Sequence, residues 1–238
     1  MMLPVMERKI KSESEQPIKP TMKHIRHLLY RLMEKTAYRL KNTRFYNVIA
    51  NIYTLKNGQP FLYLYAPAEN GDGPVCALLK YTNGKFRKIL DFTEIMAGYG
   101  NHRIGEVTNL NGNKIVITES IVSYSLGINA INFTYEYVNR KFVPTSRYGS
   151  YKEIYSADGS SRYFTVNSDL PAYARPGATA VNTTLKTGSL TKIIKCALIN
   201  RKMYIQLECD GEIYWIKALE NPPISDSERQ FMEVRYAG

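Results

Sequence analysis

The sequence predicts a mainly β protein, and its aromatic content, its turn residues and an internal similarity all support that fold class. Its 238 residues include 19 tyrosines and 8 phenylalanines against one tryptophan, and hydrophobic residues make up 44% of the chain. Aromatic side chains of this kind favour pleated, half-buried strands over long helices. Asn-Gly and related pairs between short apolar runs are typical of β-hairpins. A chain of this length is expected to form roughly two domains.

The N-terminal segment carries much of the positive charge. Residues 1–20 combine charged residues, Ser and Pro without an apolar period, which predicts a flexible leader. Residues 21–44 repeat apolar side chains at three- and four-residue steps between basic ones, which predicts a basic amphipathic helix. The net charge is +11, and residues 1–44 hold 11 Lys and Arg against 4 Asp and Glu. This helix either packs on the following domain or contacts an anionic surface such as a membrane or an acidic partner.

Residues 45–148 show an internal similarity that predicts a duplicated β-meander domain. Residues 52–65 resemble residues 107–118, and residues 75–89 resemble residues 131–143, with a period of about 54 residues. Each unit is expected to be a blade-like, four-stranded antiparallel meander closed by tight hairpins. Two blades cannot close a propeller ring, so the two meanders are expected to pack face to face.

Three further segments follow this domain. Residues 149–162 contain Gly149-Ser150 and a second Gly/Ser cluster, which predicts a linker. Residues 163–220 are expected to form a small barrel. Residues 221–238 are expected to be a tail with a short helix, because Ser225 and Glu228 have the spacing of a capping box. That helix is expected to dock on the body through Phe231 and Met232.

Four motifs in the C-terminal quarter resemble one known family. They are Ala174-Arg175-Pro176-Gly177, Leu185-Lys186-Thr187-Gly188, Tyr204-Ile205-Gln206-Leu207, and Asp210-Gly211 followed by Tyr214-Trp215-Ile216. In this order they resemble bacterial Src-homology-3-like (SH3-like, SH3b) domains, and the resemblance is limited to residues 163–219. It implies a five-stranded SH3-like barrel. Tyr214 departs from the family pattern, which commonly has Gly there, and Pro171-Ala172-Tyr173 replaces the usual Asn-Val-Arg.

The resemblance implies a function in binding rather than in catalysis. Domains of this family commonly attach secreted bacterial proteins to peptidoglycan, another wall polymer or a peptide ligand. Matched by position, the implied ligand-binding residues are Tyr173, Arg175, Tyr204 and Trp215, although each aromatic ring could instead pack in the core. The expected location is extracellular or the cell envelope if an export signal lies upstream of Met1, and otherwise the cytoplasm. The alternative is an intracellular interaction or scaffold protein that uses residues 21–44 to engage an acidic partner or a membrane surface.

No motif in the sequence predicts an enzyme, a metal site or a cofactor. The three cysteines form no CxxC pair and lack histidines at metal-ligand spacing. The possible nucleophile pairs are Cys76 or Cys209 with His102, but the pattern places Cys76 in mid-strand, away from a helix N-terminus that would activate a thiol. Nucleic acid is not an expected partner, because Lys and Arg are not clustered among the aromatic strands. No apolar run reaches the length of a transmembrane helix.

Overall fold

The computed structural model describes residues 47–56, 58–67, 75–83 and 85–236. The predicted leader at 1–20 and the predicted helix at 21–44 lie outside the described residues. The prediction of a mainly β, antiparallel protein is confirmed. No helix in the described ranges has the length and apolar character needed to cross a membrane. The strands are β1 (Ile49–Thr54), β2 (Pro60–Ala66), β3 (Val75–Thr82), β4 (Lys85–Asp91), β5 (Gly100–Asn111), β6 (Lys114–Ser123), β7 (Gly127–Val138), β8 (Lys141–Pro144), β9 (Tyr148–Ser156), β10 (Gly159–Ser160), β11 (Tyr163–Thr165), β12 (Leu170–Ala172), β13 (Thr183–Leu185), β14 (Leu190–Ile199), β15 (Lys202–Cys209) and β16 (Glu212–Lys217).

Tight turns connect the strands where the sequence predicts them. Asn139 and Arg140 both have positive φ (50° and 64°), as do Asn200 and Arg201 (50° and 61°). The turn from β15 to β16 has Asp210 at 52° and Gly211 at 81°. Positive φ at both central residues matches the twist of the flanking strands in two-residue hairpins. Asn and Asp tolerate this conformation better than other non-glycine residues, so the turn chemistry fixes these three hairpins locally.

The first eight strands form two successive antiparallel groups. Strands β1 to β4 pair in sequence order in one sheet, and strands β5 to β8 pair in sequence order within a larger sheet. This strand order is that of two meanders. The sequence duplication itself stays a prediction.

The two groups pack against each other through a shared core. The ring of Phe61 on β2 lies 4.9 Å from that of Tyr137 and 5.2 Å from that of Phe142, both on the second group. The hydroxyl of Tyr63 donates a hydrogen bond of 2.6 Å to the carbonyl of Gly105. The same cluster of buried apolar side chains continues into β14, β15 and β16. The described part of the chain therefore has one main core across both sheets.

The prediction of a linker at residues 149–162 is wrong, because most of this range is strand. It contains β9 and β10, and β9 pairs with β7 on one side and with β14 on the other. Gly149 suggested a linker, but a Cβ at this position would lie 2.5 Å from Cε1 of Phe133 and 2.8 Å from Cγ2 of Ile131. Glycine here permits close packing inside a sheet rather than a turn. One sheet therefore runs in the order β16-β15-β14-β9-β7-β6-β5, across the predicted domain boundary.

The C-terminal strands are linked by pairings that run from β14 to β16 and on to the segment after β12. Strand β14 pairs with β15, and β15 pairs with β16. Tyr173, just after β12, exchanges two backbone hydrogen bonds of 2.7 and 2.9 Å with Trp215 on β16. Strand β11 pairs with the start of β14. Strands β11 and β12 are successive along the chain, but in the described residues β12 pairs with β13 and not with β11.

The short helix predicted in the tail is a single 3-10 turn at Asp226–Glu228. Ser225 makes no capping bond, and the carboxylate of Glu228 instead accepts a bond of 2.8 Å from the amide of Ile224. Beyond the turn the backbone is extended, because Phe231 and Val234 form isolated β-bridges with Val166 and Ser156. Phe231 is fully buried, whereas Met232 is 48% exposed. Phe231 therefore docks the tail, and the prediction that Met232 also does so is wrong.

Candidate functional site

The structure brings three of the four predicted ligand-binding residues together, but below the surface. Tyr173, Tyr204 and Trp215 are 6%, 5% and 4% exposed, and they form a cluster with Ala197. Arg175 is exposed on the loop that follows Tyr173. Because the three rings are covered, the structure does not support the prediction that they present their faces to a ligand. The three rings instead lie beneath the surface formed by their neighbours.

This cluster lies on the opposite face of the sheet from the main core. Cys196, Ile205 and Ile216 are register partners or neighbours along β14, β15 and β16, and all three belong to the main core. Successive side chains of a strand point to opposite faces, so Ala197, Tyr204 and Trp215 face outward. The segment that starts at Tyr173 crosses this outer face and covers it in part. The small Ala197 leaves room for the rings around it.

One accessible aromatic ring and several cations complete this surface. Tyr148 on β9 is 38% exposed, and its ring centroid lies 5.9 Å from that of Trp215. The Nζ atom of Lys195 lies 4.6 Å from the Tyr148 centroid and 6.0 Å from the Trp215 centroid. The guanidinium carbon of Arg147 lies 5.7 Å from the Tyr148 centroid. These distances are those of cation–π contacts.

A further cation extends the same surface toward the predicted loop. The Nζ atom of Lys217 lies 5.1 Å from the ring centroid of Tyr173. None of the ion pairs in the described ranges involves Arg147, Arg175, Lys195 or Lys217. Their charges are therefore not neutralised by carboxylates within 4 Å in the described part of the chain. We call Arg147, Tyr148, Arg175, Lys195 and Lys217 the cation–aromatic surface.

Sequence reasoning missed most of this surface. Only Arg175 was predicted, and Tyr148 was assigned to the end of the preceding domain. Lys195 had a usable signal, because strand alternation places it on the same face as Ala197 and opposite the buried Cys196. The contact between Tyr148 and Trp215 had no signal in the sequence, because it depends on the pairing of β9 with β14.

The cation–aromatic surface does not belong to either of two surface depressions in the described part of the chain. One lies beside Arg229 and Val234–Tyr236, the other beside Lys80–Asn83 and Arg140. Small-molecule sites are usually concave and enclose most of the ligand. Cations beside an exposed aromatic ring are suited to a segment of an anionic polymer.

A second group of ionisable residues lies inside the core. Oε2 of Glu119 lies 2.8 Å from Nε2 of His102, and the Glu119 side chain is 2% exposed. Oε1 of Glu119 is buried without a hydrogen-bond partner, and neither ring nitrogen of His102 has a hydrogen bond of standard geometry. Burial raises the pKa of Glu119 to about 7, although the contact with His102 opposes that shift. Neither surface depression reaches this pair, so it does not form an accessible catalytic site with them.

The cysteines are not activated nucleophiles. All three are buried free thiols. Burial raises the pKa of Cys76 and of Cys196 to about 12 in each case. The Cys76 sulfur contacts the amide and carbonyl of Gly105 at 3.3 and 3.2 Å. A thiol must lose its proton to react as a nucleophile, so neither residue has the properties of a catalytic cysteine.

The burial of the cysteines predicts a chemical result. In the folded protein at pH 8, Cys76 and Cys196 are expected to react with Ellman's reagent at least a hundredfold more slowly than a free thiol, since burial blocks access and disfavours the thiolate. The time course of absorbance measures this, and urea-unfolded protein is the control, in which all three thiols should react rapidly. Rapid labelling of Cys76 in the folded chain would contradict this interpretation.

Within the described ranges, no group of three His, Cys, Asp or Glu side chains is placed to hold a metal ion.

Comparisons with known proteins add no family to this description. No protein-family model, no curated protein and no solved structure matches the chain.

Proposed function

We propose that this chain is a non-enzymatic binding protein of the bacterial cell envelope that contacts peptidoglycan or another wall polymer. The contact is made by an SH3-like barrel at residues 163–220 together with Arg147 and Tyr148 from the preceding segment. The pairings of β14, β15 and β16, the bridge between Tyr173 and Trp215, and the positive φ of Gly188 and Gly211 support this proposal. The site residues differ from the sequence prediction, since Tyr173, Tyr204 and Trp215 support the surface from beneath.

The position of Lys195 is the observation that carries the proposal. Its ammonium group lies against two aromatic rings and has no carboxylate partner within 4 Å in the described ranges. A sugar ring can stack on the exposed face of Tyr148 while its carboxylate or phosphate accepts charge-assisted bonds from Lys195 and Arg147. Such bonds are roughly twice as strong as those between neutral groups. Wall polymers combine sugar rings with these anionic groups.

Sedimentation with purified bacterial cell walls tests this proposal. The Lys195→Gln variant of the full chain is expected to bind walls roughly tenfold more weakly than the wild type, because one charge-assisted contact at the centre of the surface is lost. The fraction of protein that sediments, measured against wall concentration, gives the affinity.

The matched control is Lys80→Gln. Lys80 also contacts a tyrosine, because its Nζ atom donates a hydrogen bond of 2.7 Å to the hydroxyl of Tyr137, but it lies on β3 in the other sheet. The Lys80→Gln substitution removes the same charge and should leave wall binding within twofold of the wild type. Equal losses in both variants would indicate binding through net charge alone. Unchanged binding in Lys195→Gln would reject this surface. No wall binding by the wild type would favour the alternative, engagement of an acidic partner or a membrane surface through residues 21–44.

A further inference from the structure

Strand register places seven side chains in one row on the outer face of the large sheet, of which Thr118 and Trp215 are buried and the other five are exposed or half-buried. Consecutive register partners are Glu106 with Thr118, Thr118 with Asn132, and Asn132 with Ser150. Ser150 then pairs with Lys195, Lys195 with Gln206, and Gln206 with Trp215. Directly opposite residues of paired strands share one face of the sheet. We call the line from Glu106 to Trp215 the polar row.

Three hydrogen-bonding groups in the middle of the polar row have no hydrogen-bond partner among the described residues. Thr118 donates a bond of 2.7 Å to the side-chain oxygen of Asn132, which fixes both side chains on the same face. The amide nitrogen of Asn132, the hydroxyl of Ser150 and the ammonium of Lys195 make no hydrogen bond to other described residues. Ser150 is exposed, and Asn132 and Lys195 are half-buried. Among the described residues, these groups therefore have unused hydrogen-bonding capacity.

The polar row is long and ends in the cation–aromatic surface. Neighbouring strands lie about 4.8 Å apart, so six intervals span roughly 29 Å. Lys195 belongs to both features. A polymer held at Lys195 and Tyr148 can therefore extend over Ser150 and Asn132 toward β5 without leaving the same face.

We propose that the polar row is an extended subsite for a glycan strand, which lies across the β-strands with its anionic groups near Lys195. This inference rests on the proposed function, because it assumes that the cation–aromatic surface binds a wall polymer. Uncharged hydroxyl and amide groups match the hydroxyl and acetamido groups of a wall glycan. The negative Glu106 at the far end suits a neutral part of that glycan.

The row is less suited to a single-stranded nucleic acid. Such a ligand carries one phosphate per nucleotide and is held by a groove of cations with aromatic stacking platforms. From Glu106 to Gln206, the row holds one cation, one carboxylate and no aromatic ring. The charge pattern therefore favours a glycan.

The length dependence of glycan binding tests the extended subsite. The probes are soluble peptidoglycan fragments from purified walls, from the single disaccharide to long oligomers, and calorimetry gives each affinity. Wild-type affinity is expected to rise with fragment length. In Asn132→Ala and in Ser150→Ala, affinity for long fragments should fall roughly fivefold, as for loss of one hydrogen bond, while affinity for the disaccharide stays within twofold. Thr134→Ala, on the same face of β7 but outside the row, should match the wild type.

Each outcome has one meaning. Glycan binding that does not depend on length, or that is unchanged in both Asn132→Ala and Ser150→Ala, would overturn the extended subsite and leave the proposed function standing. If Asn132→Ala fails to fold, Ser150→Ala decides alone, since that side chain is exposed. No binding of any fragment would reject the proposed function and the subsite with it. Tighter binding of a thymidine oligomer than of any glycan, with steep loss in salt, would identify a nucleic-acid surface instead.

Discussion

Replacement of Phe231 by alanine is expected to lower the free energy of unfolding by about 3–5 kcal/mol, the usual cost of truncating a fully buried phenylalanine. Phe231 is 0% exposed, and its ring lies 5.9 Å from that of Phe164. It joins the tail to the C-terminal strands, since Phe231 bridges Val166 and the amide of Met232 donates a 3.0 Å bond to the carbonyl of Thr165. Loss of the ring leaves a cavity where these segments meet.

The adjacent residue provides the control. Met232 is 48% exposed, so Met232→Ala should change the free energy of unfolding by less than about 1 kcal/mol. Urea titration followed by fluorescence of the single tryptophan, Trp215, measures both variants. Equal effects of the two substitutions, or a small effect of Phe231→Ala, would show that the tail is not held by Phe231.

The hairpins could be predicted because their determinants are local. Asn139-Arg140 and Asp210-Gly211 contain residues that tolerate positive φ, and they stand between two apolar runs. The pairing of β9 with β14 could not be predicted in this way, because it joins Gly149 to Cys196 across an intervening stretch of several strands. The glycine that permits this close packing has the same sequence signature as a glycine in a linker.

The candidate site was predicted only in part, and for a different reason. The motifs selected Tyr173 and Trp215, which the structure places together. Tyrosine and tryptophan serve equally well in a core or at a binding surface, so their identity does not reveal which side of a ring is covered. The answer depends on the segment that crosses the outer face, and no local pattern specifies its path. Tyr148 became a site residue only through its contact with Trp215.

Glu119→Gln is expected to stabilise the folded protein at pH 8 by about 3 kcal/mol relative to the wild type, and to have little effect at pH 4. In the folded state burial raises the pKa of this carboxyl from its ordinary value of 4.5 to about 7. At pH 4 the carboxyl is largely protonated in both folded and unfolded chains, so burial costs little. Glutamine has a similar shape and no charge, and it removes the cost of burying an ionised group.

The direction of this change in stability with pH follows from the number of protons that each state binds. Between pH 4.5 and about 7, the unfolded chain has lost the Glu119 proton while the folded chain still holds it. The folded state therefore binds more protons, and wild-type stability falls as the pH rises through this window. Above about pH 7 the Glu119 carboxyl is ionised in both the folded and the unfolded state, and the loss of stability is complete. The measurement is the difference in free energy of unfolding between the wild type and Glu119→Gln, obtained by urea titration at a series of pH values.

Glu106→Gln separates this effect from a general change in net charge. Glu106 is exposed on β5, where it is the register partner of Thr118, the residue before Glu119. Its replacement removes the same charge from the opposite face of the sheet and should change stability by less than about 0.5 kcal/mol at every pH. A pH-dependent gain in Glu106→Gln equal to that in Glu119→Gln would contradict the assignment to burial. A loss of stability in Glu119→Gln at pH 8 would instead mean that the ionised pair with His102 stabilises the core, despite the unpaired Oε1 atom.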